Sequence, residues 1–172
     1  ITAEVFSANG ALVYLFEDLR PTPELSFAIR HFGCHSGVVV TASHNPKEYN
    51  GYKAYWNDGA QMLSPHDKNS IDEVKKITSV SAVKFGKIEK NIISIGAEVD
   101  NAYMDKMVSL SISKDAIARQ KNLKIVYTPL HGSGITLAPE LMKRFGFENV
   151  VIVDEQAKPD GNFPTTPSPN PE

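Results

Sequence analysis

Short β-branched runs alternate along this chain with longer stretches of helical period, and that order of elements predicts an α/β fold. Residues 1–9 read as the last turns of a helix halted by Gly10, with a strand beyond it over 12–16. A helix follows over 23–32. Pro23 suits a first helical position, Leu25, Ala28, Ile29 and Phe32 share one face, and Gly33 supplies the stop. Val38, Val39 and Val40 then carry a strand over 37–42. Strand, helix, strand in that order implies a right-handed crossover and a parallel pair, which leaves the loop at Ser43 on a carboxyl edge of the sheet.

Beyond that loop, residues 52–56 suggest a strand, and Asn57-Asp58-Gly59 a type I′ style reversal into 60–63, giving a hairpin on the sheet. Ser64-Pro65 opens a helix that Ile71, Val74 and Ile77 carry to Thr78. Residues 79–99 are ambiguous apart from an extended segment near 92–95. Tyr103, Met107, Leu110 and Ala116 give helical spacing over 99–119 with a break near 111–113, and this stretch is the candidate boundary between two units. A second strand, loop, helix, strand series starts at 123–127, with a helix over 135–145, Gly146 as its stop and a strand over 150–153. From Pro159 on, prolines crowd the chain, so a loop or fraying end is expected there. The predicted fold is a mixed, mainly parallel sheet with flanking helices, plus a partial second α/β unit. Residues 1–120 would form the first unit with its linking helix, and 121–172 the start of the second.

At 172 residues and 41% hydrophobic content, the chain suits one domain, or one domain and part of another. A net charge of -2 and a pI of about 6.2 supply no basic field, so a nucleic-acid partner is not expected. No run of about eighteen apolar residues is present, so no membrane partner is expected either. The chain begins at Ile1 without a Met or the regions of a signal peptide, which suggests that it starts inside a longer protein. Cys34, the single cysteine, permits no intramolecular disulfide, and a cytoplasmic location is the expectation.

Candidate chemistry concentrates where the valine run ends in Thr41-Ala42-Ser43-His44-Asn45-Pro46. Ligands of open α/β sheets gather at such strand ends, which makes Ser43 a site candidate. Ser, Asn and Pro are equally the residues of ordinary turns. Spacing alone leaves both readings open.

Together with Glu48-Tyr49-Asn50-Gly51-Tyr52-Lys53, this loop resembles the active-serine loop of the α-D-phosphohexomutase superfamily, which includes phosphoglucomutase and phosphomannomutase. Three more segments agree in order. Arg20-Pro21-Thr22-Pro23-Glu24-Leu25 resembles a segment before the serine strand. Tyr127-Thr128-Pro129-Leu130-His131-Gly132-Ser133-Gly134 resembles the opening of the second domain, and Pro159-Asp160-Gly161-Asn162-Phe163-Pro164 a later loop of that domain. The details resemble most the phosphoglucomutase branch that also accepts related phosphosugars.

The resemblance implies a mutase that interconverts hexose 1-phosphate and hexose 6-phosphate, with glucose favoured, through phosphorylated Ser43. Its implied cofactors are Mg²⁺ and, as activator or intermediate, glucose 1,6-bisphosphate; its partner is a small phosphosugar. Phosphoserine adds about −1.5 to −2 charge and three acceptor oxygens, so Ser43 would become a metal ligand on phosphorylation. His44 and Lys53 match the family's proton-handling and phosphate-steadying positions. On spacing alone Lys53 is an ordinary strand lysine. Asn45 could hydrogen-bond the phosphate or cap the turn. Because neighbouring side chains on extended backbone point apart, a protease-like Ser43–His44 pair is disfavoured.

The family's DxDxD metal loop is absent, and the spacing of Asp154, Glu155 and Asp160 does not replace it. The remaining ligands are therefore expected outside this chain, which reads as a fragment inactive by itself. His131-Gly132-Ser133-Gly134 lies between a strand and a helix, where backbone N–H groups can approach an anion, but it lacks the Lys of a P-loop, and His131 is given no catalytic role. Cys34 and His35 lack two further metal ligands at usable spacing. The rival reading is a phosphosugar-binding domain without turnover.

Overall fold

Thr2–Ala8 forms helix α1, released by Gly10 at φ 88°, and Val13–Phe16 forms strand β1. This computed structural model describes residues 1–167 and 169–170; Ser168, Pro171 and Glu172, in the segment expected to be a loop, lie outside the described residues. Helix α2 (Thr22–Phe32) has Pro23 in its first turn, where a missing N–H costs nothing, and ends at Gly33 in the left-handed conformation, φ 63°. Ala28 and Ile29 of its predicted apolar face are buried. α2 covers two ladders. Its Phe32 stacks on Tyr14 of β1 at 4.2 Å, and Ile29 lies over Gly37, where a Cβ would stand only 2.5 Å from Ile29 Cδ1.

Strands β2 (Ser36–Thr41) and β3 (Gly51–Trp56) pair antiparallel, with Thr41 opposite Gly51 and Ser36 opposite Trp56. β1 pairs in parallel with β4 (Ile92–Ile95). The sequence predicts a parallel pair between the first strand and the serine strand; instead each takes another partner. The loop after Thr41 is too short for a parallel crossover and turns the chain straight back as an antiparallel neighbour. The predicted hairpin beyond β3 shrinks to a bridge between Tyr55 and Gln61. Its turn is not type I′, because the positive φ falls on Gly59 alone, at 82°. Arg30 of α2 donates to the Asp58 carbonyl at 3.1 Å and so pins this turn to the helix.

Helix α3 (His66–Lys75) has no buried residue, and its predicted apolar positions Ile71, Val74 and Ile77 remain exposed. Helices α4 (Ala97–Ser109) and α5 (Lys114–Arg119) separate where the break is predicted, and Val99 and Met104 of α4 are buried. β5 (Ile125–Tyr127) pairs in parallel with β6 (Val150–Ile152). Between them, α6 (Ala138–Phe145) starts later than the predicted 135, because Pro139 fits only a first turn; Ser133–Thr136 forms a 3₁₀ turn instead. A short helix, α7 (Asp154–Ala157), follows β6.

The two halves touch through α4, which packs on both α2 and α6; Arg144 of α6 pairs with Asp105 of α4 at 2.9 Å and also donates to Asn101. The architecture is mixed α/β, with parallel pairs and flanking helices. No helix among the described residues is long and apolar enough to cross a membrane.

Candidate active site

The valines of β2 hold an extended backbone until Ala42. There the chain folds over: the Ser43 N–H donates to Thr41 Oγ1 at 2.9 Å and the Asn45 N–H to the Ala42 carbonyl at 3.0 Å. These bonds place Ser43 at φ 56°, in the left-handed region. A residue with a Cβ pays about 1–2 kcal/mol there, and strain of this kind collects at functional sites. The Ser43 side chain sits on an exposed loop.

His44 Nδ1 stands 3.4 Å from Ser43 Oγ. This corrects the expectation that the two side chains point apart, which holds for extended backbone and fails at a positive φ. The separation is longer than a well-made hydrogen bond, and both groups face solvent. Asn45 closes the turn with its backbone, and no hydrogen bond of its amide group occurs among the described residues. Lys53 sits opposite Val39 in β3, two ladder steps, about 7 Å, from the Thr41–Gly51 pair. Alternation puts it on the same face as Thr41 and Gly37, the face α2 covers, and it is half-buried.

Nothing in the spacing singles out Lys47 or Asn162, yet Lys47 Nζ donates to Asn162 Oδ1 at 2.5 Å. The loop after α7 thereby meets the serine loop. Asp160 prepares the contact: its Oδ1 accepts from the Asn162 N–H at 2.8 Å and from Asn162 Nδ2 at 3.0 Å, which turns the amide oxygen toward the lysine. Hydrogen bonding from Asn162 holds the Asp160 carboxyl below its ordinary range. The legible signal was the Asp-Gly-Asn turn chemistry of this segment.

His131 is 5% exposed and anchors that same loop. Its Nδ1 lies 3.0 Å from the Lys158 carbonyl, which can only accept, so Nδ1 is the donor there, while Nε2 lies 2.9 Å from Thr165 Oγ1. Gln156 completes the set, taking the Thr128 hydroxyl at 2.5 Å and donating to Thr165 at 3.0 Å. The glycines after His131 serve packing, since a Cβ on Gly134 would fall 2.6 Å from the Tyr127 hydroxyl. Arg20 and Glu24 of the earlier motif are likewise structural, buried beside Asp100 of α4.

Among the described residues no three His, Cys, Asp or Glu side chains gather to hold a metal ion. That covers Asp154, Glu155 and Asp160, as well as Cys34 and His35. Among the described residues, no cage of ligands for a divalent cation surrounds the Ser43 oxygen.

Comparison with known proteins agrees with the motifs. The models for phosphoglucomutase/phosphomannomutase alpha/beta/alpha domain I and domain II match residues 1–81 and 101–172. The chain is 35% identical over 179 residues to a phosphoglucomutase of Staphylococcus haemolyticus, covering 100% of this chain and 31% of that protein. It is 35% identical over 176 residues to a phosphopentomutase of Homo sapiens, with coverage of 100% and 29%. A solved structure from Thermus Thermophilus, named for a phosphomannomutase, superposes with a TM-score of 0.77 at 23% identity, covering 99% of this chain and 36% of that one. The chain spans about a third of the length of the curated relatives it matches.

Proposed function

The chain belongs to the phosphoglucomutase/phosphomannomutase family, and from that premise we propose that it carries the phosphoryl-accepting serine of a phosphosugar mutase. Hexose 1-phosphate and hexose 6-phosphate, of glucose in the first instance, are the proposed substrate pair. The observation that supports this most directly is Ser43 itself, an exposed hydroxyl held at φ 56° where β2 ends.

In the proposed cycle, Ser43 Oγ forms a bond to phosphorus of a bisphosphorylated sugar as the bond from phosphorus to the sugar oxygen breaks. The serine proton leaves and the sugar oxygen takes one up. Phosphorylated Ser43 in turn gives its phosphoryl group to the free hydroxyl of a hexose monophosphate, which restores Ser43 and the bisphosphorylated sugar; giving at one position and taking from the other interconverts the 1-phosphate and the 6-phosphate. Such transfer is governed by alignment and by charge around the phosphoryl oxygens. His44, 3.4 Å from Ser43 Oγ, is the proposed group for moving the proton, and Lys53 the proposed cation for the phosphoryl oxygens. Asn45 is a proposed phosphate donor. Mg²⁺ is the proposed cofactor, with phosphorylated Ser43 as the ligand this chain contributes; a hard divalent cation would neutralise charge on the transferring group. A cytoplasmic location fits the single cysteine.

The test is incubation of the full-length protein with glucose 1,6-bisphosphate, followed by intact mass and peptide mapping. One phosphoryl group on Ser43, absent from Ser43→Ala, is the expected result. Sugar binding with no modified serine would instead favour a recognition domain without turnover.

A further inference from the structure

We infer that Lys47 and Asn162 are positioning residues for phosphoryl transfer, fastening the serine loop to the second half of the chain; this rests on the mutase reading proposed above. Among the described residues no hydrogen bond joins either one to Ser43. Their effect is on where the loop stands.

The serine loop starts where the β2–β3 ladder stops, at the Thr41–Gly51 pair, and residues 43–50 are all exposed. Its own backbone bonds, Ser43 to Thr41, Asn45 to Ala42 and Tyr49 to Pro46, set its shape but not its place relative to the rest of the molecule. Lys47 supplies a tie to the other half: its Nζ reaches Asn162 Oδ1, while its Cβ stem lies near Gly161, where an added Cβ would be 3.8 Å away.

The far end of that tie is firmly built. Asp160 accepts two hydrogen bonds from Asn162, and its own N–H donates to the His131 carbonyl at 3.0 Å. His131 is buried, fixed by Lys158 and Thr165, and touched at its ring edge by Phe163 at 6.4 Å between centroids. The chain of contacts therefore runs from a buried imidazole through a preset amide to an exposed lysine four positions after Ser43. The motifs at 131–134 and 159–164 meet in it with Lys47, the residue that follows the 41–46 motif.

Because in-line transfer is sensitive to displacements on the order of 1 Å, loosening this tie should slow transfer without removing a reacting group. The experiment compares wild type, Lys47→Met, Asn162→Ala and the double variant in the full-length protein. Labelling of Ser43 from glucose 1,6-bisphosphate and steady-state kinetics are measured, with hydrogen exchange over residues 42–50. Each single variant is expected to lose about tenfold in kcat with KM little changed and to exchange faster in the loop. The double variant is expected to be no worse than either single one, because both break one bridge. Lys47→Arg, which keeps a donor, should retain more of the rate than Lys47→Met. Wild-type labelling and turnover with unaltered rates in the variants would overturn this inference and leave the mutase reading standing. A wild type that never takes label on Ser43 would overturn both.

Discussion

Arg20 grips Asp100 with two parallel hydrogen bonds, Nε to Oδ1 at 2.7 Å and Nη2 to Oδ2 at 2.9 Å, and so ties the chain entering α2 to the first turns of α4. The side chains are 7% and 14% exposed, so neither charge is free to rehydrate in place. Removing Arg20 leaves Asp100 buried without its cation, and removing Asp100 leaves Arg20 with Glu17 at 3.6 Å and the Leu19 carbonyl, whereas replacing both with apolar groups leaves no buried charge. Arg20→Met or Asp100→Asn should therefore cost about 3 kcal/mol in denaturant unfolding, and Arg20→Met with Asp100→Leu distinctly less than the sum. Additive losses would show that the pair is not coupled.

Glu24 lies beside this pair with a side chain 0% exposed, and as a carboxylate it finds no donor; Arg20 Nε is 3.9 Å from it, beyond hydrogen-bond reach. Burial, then the neighbouring Asp100, push its pKa up to about 8, and the protonated form can donate to Asp100. Burial would also raise Asp100, but the bonds from Arg20 and Glu24 and the charge of Arg20 outweigh it and hold Asp100 below its ordinary value. The signs follow from linkage. Glu24 keeps its proton in the folded chain between the unfolded value near 4.5 and about 8, so its contribution is complete below that window and is lost as pH rises through it. Asp100 acts oppositely, contributing above its unfolded value and losing that contribution in acid. Thermal melts from pH 5 to pH 8 should show wild type losing stability relative to Glu24→Gln as pH rises. Parallel curves for the two would refute the assignment.

Gly37 has a packing role that a larger residue cannot fill. An added Cβ would meet Ile29 Cδ1 at 2.5 Å, Ile29 Cγ1 at 2.8 Å and Leu25 Cδ1 at 3.2 Å, and Ile29 is 2% exposed, so a core side chain must shift to admit it. Gly37→Ala should destabilise by about 1–3 kcal/mol through overpacking. Adding Ile29→Val, which deletes Cδ1, should recover part of that loss. Equal instability of the single and double variants in urea would place the clash elsewhere.

How much of this was legible in the sequence depends on how local each determinant is. Gly33 and Gly146 end α2 and α6 because helix termination is a matter of one residue's φ, and the boundaries near them were readable. Strand partners were not. Whether β1 pairs with β2 or with β4 depends on contacts far along the chain, and local alternation carries no record of them. At the site, the run from Val38 to Pro46 marks a strand ending in a turn, but the left-handed Ser43 arises from the Thr41 hydroxyl accepting its N–H, and the nearness of His44 follows from that φ. The Lys47–Asn162 bridge joins exposed polar residues of ordinary type, and only the fold brings them together.

The strain at Ser43 yields a prediction that separates hydroxyl chemistry from loop geometry. Threonine carries the same hydroxyl, but a β-branched residue at φ 56° is an outlier, so Ser43→Thr should pull the loop toward negative φ and weaken the Thr41 bond. In the full-length protein Ser43→Thr is expected to take up phosphate from glucose 1,6-bisphosphate at least about a hundredfold more slowly than wild type, the size of loss a 1 Å displacement can produce. Ser43→Gly relieves the strain and deletes the acceptor: it should be stabilised by about 1 kcal/mol and take no label. If Ser43→Thr labels at the wild-type rate, the backbone conformation at this position is irrelevant to transfer. A hydroxyl anywhere on the loop tip would then suffice, and the left-handed serine would lose its place in the proposed chemistry.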